Sequence, residues 1–312
     1  MYLAFAVSLV TNRTLLVDWT SPVPLTDLVK LTDQIPILLP PHLHSFVQRA
    51  SSRNANAWDH KPKYLDFPKD VLKGEDMKLW SEDIVQFSAG EDWLDSLLQN
   101  SHLRDDLQRV FGTHPEHTWS ERNLQLAAHE LLAFLVRDLS AAARDMFERS
   151  AIYPSYRDGI PTIAIQIRIG TNNTSFDPFV DEDKDVPKFW NCAETLLKSK
   201  AHSGSSWKLF LATDSISVKQ NAVERFGKDL LFFDGPIVHS GNEQVTDETG
   251  KGRSQDGLLK VVVDWWLLGE AQYMFRSRQS TFGRSATVRR PTPSLVLPTQ
   301  YIDGCPIPVA FH

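Results

Sequence analysis

The second half of the chain alternates short apolar runs with longer amphipathic segments, and this alternation predicts strands and helices in turn. Runs rich in β-branched, leucine and aromatic residues predict four strands at residues 162–167, 208–212, 230–233 and 273–275. Apolar positions at helical spacing predict four helices at residues 187–200, 215–226, 254–268 and 281–289. We therefore expect a doubly wound parallel α/β sheet that binds its ligand beyond the carboxyl ends of the strands.

The first half carries a weaker pattern. Residues 2–10 predict a helix and residues 14–19 a short buried strand, whereas prolines scattered over residues 21–86 predict loops and brief elements. Helices are predicted at residues 92–98 and 103–110. Thr118 and Glu121 form a capping-box signature, which predicts one long helix through residue 147.

A break in the pattern separates the two halves. Pro154 and Gly159 interrupt the helical spacing, and the strand-helix alternation starts just after them. We place a domain boundary there, between an N-terminal α/β domain at residues 1–152 and a C-terminal Rossmann-like domain at residues 153–312. A chain of 312 residues can hold two domains, because a domain typically has about 100–200 residues.

Composition narrows the function without identifying it. A formal net charge of -6 and a pI of about 5.9 argue against general nucleic-acid binding, which needs an excess of Lys and Arg. Cys192 and Cys305 are too few for a disulfide scaffold or a Cys-based zinc site, and we expect buried thiols rather than a bond between them. The apolar opening at residues 1–10 is shorter than the about 18 residues of a membrane span, so we interpret it as a core helix and not a signal peptide.

The first candidate for chemistry is Arg168. It follows a strand of β-branched residues and precedes Gly170, where the chain is free to turn. A guanidinium can bind two oxygens of a diphosphate because its planar fork matches them. An ion pair with a core carboxylate is the structural alternative, and the residue pattern does not separate the two.

Two acidic residues are further candidates. Asp214 lies in a Thr-Asp-Ser turn after a predicted strand, where Asp214 or Ser215 can cap the next helix. Asp264 interrupts an otherwise apolar helix, and a carboxylate there needs a partner to offset its desolvation. A guanine edge, which offers two adjacent N–H donors, meets that need, and so does a neighbouring Arg or Lys.

The last candidate is the helix start after the final strand, formed by Ser280, Thr281 and Phe282 before Gly283. Hydroxyl and backbone N–H groups at a helix start bind anions, although N-capping alone also explains Ser280. All four candidates fall on one edge of one predicted sheet. That coincidence favours a site for an activated, phosphate-bearing donor, and hence a group-transfer enzyme.

These segments together resemble a known family. Ile-Gln-Ile-Arg at 165–168, Ala-Thr-Asp at 212–214, Val-Asp-Trp-Trp-Leu-Leu at 263–268 and Ser-Thr-Phe-Gly at 280–283 look like the GDP-fucose-dependent fucosyltransferase superfamily. Residues 6–19 are similar to the first helix and second strand of the same proteins, and the middle of the chain is unmatched. The resemblance implies a GT-B enzyme with two Rossmann-like domains. It would transfer fucose from GDP-fucose to a glycan or glycoprotein hydroxyl with inversion, without a metal or a cofactor.

The resemblance also implies residue roles. Arg168 would bind the β-phosphate and stabilise the departing GDP, and Asp264 would bind guanine. The donor pocket would be completed by residues beside them, namely Gln166, Asp214, Ser280, Thr281 and Phe282. Many relatives have His where this chain has Gln166, which could still hydrogen-bond the base. Asp177, or Asp181 on the same loop, is a candidate general base, with a solvated acidic loop as the alternative.

One departure from the family bears on activity. Relatives carry a Gly-x-Gly-Asn-Arg turn before the first helix, and this chain begins after it, so we expect an incomplete N-terminal domain. A noncatalytic nucleotide-sugar or glycan-binding protein therefore remains an alternative, as does a nucleotide enzyme of unrelated chemistry. Relatives reside in the Golgi or ER lumen, and the Asn-x-Ser/Thr triplets that start at Asn12, Asn172 and Asn173 are compatible with a secretory route. The family's membrane anchor is not expected in this chain.

Overall fold

The structure is a computed structural model that describes residues 6, 8–9, 24–35, 38, 97–111, 121–169, 182–201, 206–235, 255–277 and 280–289. The chain forms two compact units, one of residues 1–20 and 31–137 and the other of residues 21–30 and 138–312. A domain boundary between residues 152 and 153 stays a prediction. The described part of the candidate site lies within the second unit.

In the part of the first unit that the structure describes, the helices include α1 (Arg104–Phe111) and α2 (Glu121–Leu135). The helix predicted at residues 103–110 is confirmed by α1, and residues 6, 8 and 9 are helical as expected. The strand predicted at residues 14–19 lies outside the described residues. Apolar side chains are buried on both helices, Leu107 on α1 and Leu131 and Leu135 on α2.

The single long helix predicted through residue 147 is wrong, because the chain leaves the helix at Leu135. Two short strands pair there, β1 (Val29–Leu31) and β2 (Val136–Leu139), and a new helix, α3 (Ala141–Glu148), follows. Ser140 starts α3: its Oγ accepts the Ala143 N–H at 3.1 Å. The same hydroxyl donates to the Asp27 carbonyl oxygen at 2.6 Å, a distant contact that the local spacing does not reveal.

The described residues of the second unit form a four-stranded parallel sheet. After a short helix, α4 (Tyr153–Arg157), strands and helices alternate along the chain. In order they are β3 (Thr162–Ile167), α5 (Glu182–Ala201), β4 (Lys208–Thr213), α6 (Ile216–Phe226), β5 (Leu230–Phe232), α7 (Gln255–Glu270), β6 (Tyr273–Arg276) and α8 (Thr281–Val288). The described strands are parallel in the order β5-β4-β3-β6, which confirms the predicted sheet.

Helices cover both faces of this sheet, as a doubly wound fold requires. On one face Ile163, Ile165 and Ile167 pack with Phe189 and Trp190 in a cluster contributed by the strands, α5 and α6. On the other face α7 and α8 lie against each other and against the sheet. Every residue of β3 is buried, and β3 has a paired strand on each side. It is therefore a central strand of the sheet.

Helix α5 begins earlier than its predicted start at Pro187. Its first turn contains Glu182, Asp183 and Asp185, and acidic side chains stabilise the positive end of a helix dipole.

Cys192 on α5 is buried and disulfide-bonded, so the expectation of two free thiols is wrong. Cys305, the other cysteine of the sequence, lies outside the described residues.

Candidate functional site

Three neighbouring strands end at the same edge of the sheet. Strand β3 lies between β4 and β6, and Gln166 is in register with Ala212 on β4 and Arg276 on β6. Because the strands are parallel, the residues that follow them meet at one edge. The structure thus brings Arg168, Asp214 and the Ser280 turn to neighbouring positions, as the sequence predicts.

The backbone around Arg168 is held from both sides. The Arg168 N–H donates to Ser277 Oγ at 2.9 Å, and the Ile169 N–H donates to Asp214 Oδ1 at 2.8 Å. Ser277 is itself fixed, because its N–H donates to the Gln166 carbonyl oxygen at 3.0 Å. Arg168 therefore lies just beyond the carboxyl end of β3. The backbone there is hydrogen-bonded to a residue that follows β6 and to a residue that follows β4, the strands on either side.

The Arg168 side chain is half-buried and carries its charge in a partly desolvated place. Burial lowers the pKa of the guanidinium, and the negative charge of Asp214 opposes that shift. Arginine nevertheless stays protonated at neutral pH, because its ordinary pKa lies far above that range. A partly desolvated cation attracts an anionic ligand more strongly than an exposed one does.

Ser215, not Asp214, caps the helix that follows β4. The Ser215 Oγ accepts the Val218 N–H at 3.3 Å, which is the contact expected of an N-cap. This arrangement leaves the Asp214 carboxylate to bind the backbone beyond β3. Asp214 thus links the ends of two strands.

At the start of α8, Ser280 is the N-cap. Its buried Oγ accepts the Gly283 N–H at 3.2 Å, so the capping role foreseen for Ser280 is observed. The positive end of the α8 dipole lies at the same sheet edge as Arg168 and favours an anion. Phe282 in this turn is half-buried, and the Thr281 side chain lies outside the described residues.

Gln166 is buried beneath this helix start, with 4% of its surface exposed. A Cβ added to Gly283 would come within 2.6 Å of Gln166 Oε1, so only glycine allows α8 to approach so closely. Among the described residues Gln166 Oε1 has no hydrogen-bond partner. A buried acceptor without a hydrogen bond costs about 1–3 kcal/mol of stability. A hydrogen-bond donor on a bound ligand would remove that cost.

Asp264 on α7 is buried and forms an ion pair with Lys260. Lys260 Nζ donates to Asp264 Oδ2 at 2.6 Å, and both side chains are under 10% exposed, at 9% and 8%. Burial raises the pKa of Asp264, and the charge and hydrogen bond of Lys260 oppose that rise. Of the two partners considered for this carboxylate, the structure supplies the lysine. Asp264 Oδ1 has no hydrogen-bond partner within the described part of the chain.

Several predicted residues lie outside the described part of the chain, namely Gly170, Asp177 and Asp181. Three residues at the site were missed by sequence reasoning, namely Lys260, Arg276 and Ser277. Lys260 could have been found, because it precedes Asp264 by four residues on one helix. In the described residues no group of three or more metal-ligating side chains occurs, and no helix is long and apolar enough to cross a membrane.

The central parallel sheet with helices on both faces defines a doubly wound α/β fold, the class in which ligands bind at the carboxyl ends of the strands. The sequence matches no protein-family model and no curated protein. A mutant of Arabidopsis thaliana FUT1 in complex with GDP matches over 92% of this chain and 64% of that one, with 13% identity and a TM-score of 0.59. This chain therefore shares the α/β, GT-B-like fold of the matched part of that structure.

Structures of the fucosyltransferase NodZ also match. The NodZ structure from Bradyrhizobium covers 93% of this chain and 87% of its own, with 17% identity and a TM-score of 0.46. The NodZ α-1,6-fucosyltransferase soaked with GDP-fucose covers the same shares, with 16% identity and a TM-score of 0.49. This chain spans slightly less than two thirds of the length of the matched FUT1 structure.

Proposed function

We propose that this protein is a glycosyltransferase that moves fucose from GDP-fucose to a hydroxyl of a glycan or glycoprotein. The observation that carries the proposal is the placement of Arg168. This half-buried residue follows β3, and the backbone there is held by Asp214 and by Ser277, which precedes the Ser280 turn by three residues. The GDP in the matched FUT1 structure supports a guanine nucleotide as the ligand of this edge.

In the proposed reaction the acceptor oxygen attacks the anomeric carbon of fucose while the bond from that carbon to the β-phosphate oxygen breaks. The electron pair of the broken bond moves onto the phosphate, and attack from the opposite face inverts the configuration. Arg168 and the amino end of α8 stabilise the charge that develops on the departing GDP, which makes their contribution electrostatic. The acceptor proton passes to a carboxylate, for which Asp177 is our candidate. No metal is required when a guanidinium and a helix dipole supply the positive charge.

The remaining predicted residues would hold the donor. We assign the nucleobase to Asp264 and Gln166, each of which has a buried oxygen that no described residue satisfies. We assign the phosphate side to Ser280, Thr281 and Phe282 at the start of α8. Asp214 shapes the pocket through its bond to the Ile169 N–H.

Isothermal calorimetry with GDP tests the proposal, using Arg168→Ala and Arg157→Ala as a matched pair. Arg157 is exposed, pairs with Asp158 at 2.9 Å and lies before the start of β3, at the opposite edge of the sheet. Loss of a charge-assisted bidentate contact costs about 2–3 kcal/mol, so Arg168→Ala should weaken GDP binding about 30- to 150-fold. Arg157→Ala should bind like the wild type. Equal GDP affinity in all three proteins would defeat the proposal.

A transfer assay with labelled GDP-fucose and a glycan array then tests turnover. Product on one class of glycan identifies the acceptor and the linkage. GDP binding without transfer or hydrolysis would instead identify the noncatalytic nucleotide-sugar-binding protein considered from the sequence.

We also propose residence in the Golgi or ER lumen. Disulfides persist in oxidising compartments, and Cys192 is disulfide-bonded. Alkylation under denaturing conditions without reductant, followed by peptide mass spectrometry, should leave Cys192 unmodified. Alkylated Cys192 in protein recovered from its own cells would refute a lumenal location.

A further inference from the structure

Arg276 is the last residue of β6 and the neighbour of the candidate site. It is in register with Gln166 on β3, and β3 and β6 are parallel and adjacent. The strand therefore delivers a second guanidinium-bearing residue to the edge where Arg168 stands. No segment of the family resemblance includes this position.

The stem of Arg276 lies against the start of α8. A Cβ on Gly283 would come within 3.1 Å of Arg276 Cβ and 3.2 Å of Arg276 Cδ, so the absence of a side chain at Gly283 makes room for it. The same missing side chain accommodates Gln166. Arg276 is thus packed beside the helix end that favours an anion, and its side chain is half-buried.

Ser277 connects Arg276 to Arg168. Arg276 Nη1 donates to the Ser277 carbonyl oxygen at 3.4 Å, while Ser277 Oγ accepts the Arg168 N–H at 2.9 Å. One buried serine therefore touches both arginines. Through Ser277, the side chain of Arg276 and the backbone of Arg168 are therefore fixed at the same place on the sheet edge.

We propose that Arg276 is a second phosphate-binding residue, which with Arg168 grips the diphosphate of a nucleotide-sugar donor. The inference rests on the proposed function, because it assumes that a nucleoside diphosphate occupies this edge. A diphosphate ester carries a negative charge on each phosphate, and Asp214 offsets part of the charge of Arg168. A second guanidinium supplies the charge and the hydrogen-bond donors that Arg168 alone does not.

The test compares GDP with guanosine, which lacks both phosphates, on the full chain. Arg276→Gln retains the stem that packs on Gly283 and removes the charge, Arg276→Lys restores a charge, and Arg157→Ala is the control. We expect Arg276→Gln to weaken GDP binding about 10- to 100-fold while guanosine affinity stays at the wild-type level. Arg276→Lys should recover part of the loss, because an ammonium provides charge without the planar fork.

The affinities for GDP and guanosine, taken together, separate the possible outcomes. Unchanged affinity for both ligands in Arg276→Gln would overturn this inference while leaving the proposed function standing, provided that the wild type binds GDP. An equal loss for GDP and guanosine would indicate a purely structural role and would also overturn it. Absence of GDP binding by the wild type would overturn both proposals.

Discussion

The buried pair of Lys260 and Asp264 makes the sharpest prediction about stability. Lys260 Nζ lies 2.6 Å from Asp264 Oδ2, and both side chains are almost fully removed from water. Lys260→Met keeps most of the side-chain volume and removes the positive charge, which leaves the carboxylate buried without its counter-charge. Breaking a buried pair in this way costs about 3–5 kcal/mol, and we expect that loss in the free energy of unfolding at pH 7.

Two controls separate the lost charge from the altered packing. The double variant Lys260→Met with Asp264→Leu should recover most of the stability, because apolar side chains of similar volume can replace a buried pair at little cost. Lys208→Met breaks a more exposed pair, in which Nζ lies 2.9 Å from Asp229 Oδ1 and the side chains are 17% and 46% exposed. It should cost less than about 1 kcal/mol.

The loss of stability caused by Lys260→Met should also depend on pH. Burial raises the pKa of Asp264, and removal of Lys260 removes an interaction that opposes the rise. Between the unfolded value of about 4 and the raised folded value, the folded state binds more protons than the unfolded state. Stability therefore falls as pH rises through this window, and the deficit of Lys260→Met relative to the wild type should shrink as pH is lowered from about 7 to 4.

Urea unfolding followed by tryptophan fluorescence measures these differences, and Trp265 and Trp266 lie next to Asp264 on α7. Equal slopes of free energy against urea would show that each midpoint reports stability. The reasoning is refuted if the single and double variants lose equal stability. It is also refuted if the deficit of Lys260→Met is the same at each pH.

Two further substitutions test the packing around the site. Gly269→Ala should destabilise the protein by about 1–3 kcal/mol in urea unfolding. The new Cβ would lie 2.8 Å from Arg289 Nε and 3.0 Å from the Ala286 carbonyl oxygen, which is too close. Replacing Gly by Ala within a helix normally has the opposite effect and stabilises the protein. A stabilised Gly269→Ala would refute this packing of α7 on α8. Ser277→Ala should lower the free energy of unfolding by about 1–2 kcal/mol, because it leaves the Arg168 N–H without its acceptor. It should also weaken GDP binding in calorimetry, whereas Arg157→Ala should not. Unchanged stability and GDP affinity would show that this hydrogen bond does not position Arg168.

Local pattern was sufficient for the parallel sheet and insufficient for the segment that precedes it, residues 136–148. The strand at residues 162–167 was predicted to the residue, because its recurring β-branched residues lie between the sequence Gly-Ile-Pro and a polar stretch. The long helix failed because helical spacing continues through residues 136–139, where pairing with Val29–Leu31 decides the structure. Long-range partners of that kind leave no mark within a short window of sequence.

The same limit explains what was found and what was missed at the site. The edge that holds the site could be predicted, because parallel strands place their carboxyl ends together. Which of two neighbouring polar residues caps the next helix could not be predicted. Ser215 caps α6, and that choice leaves Asp214 to bind the Ile169 N–H and to oppose part of the charge of Arg168. Had Asp214 been the cap, the Ile169 N–H would lack this acceptor and the backbone beside Arg168 would be less constrained. The geometry of the proposed donor site therefore depends on Ser215, a residue that need not touch the ligand, and the sequence motif does not reveal this dependence.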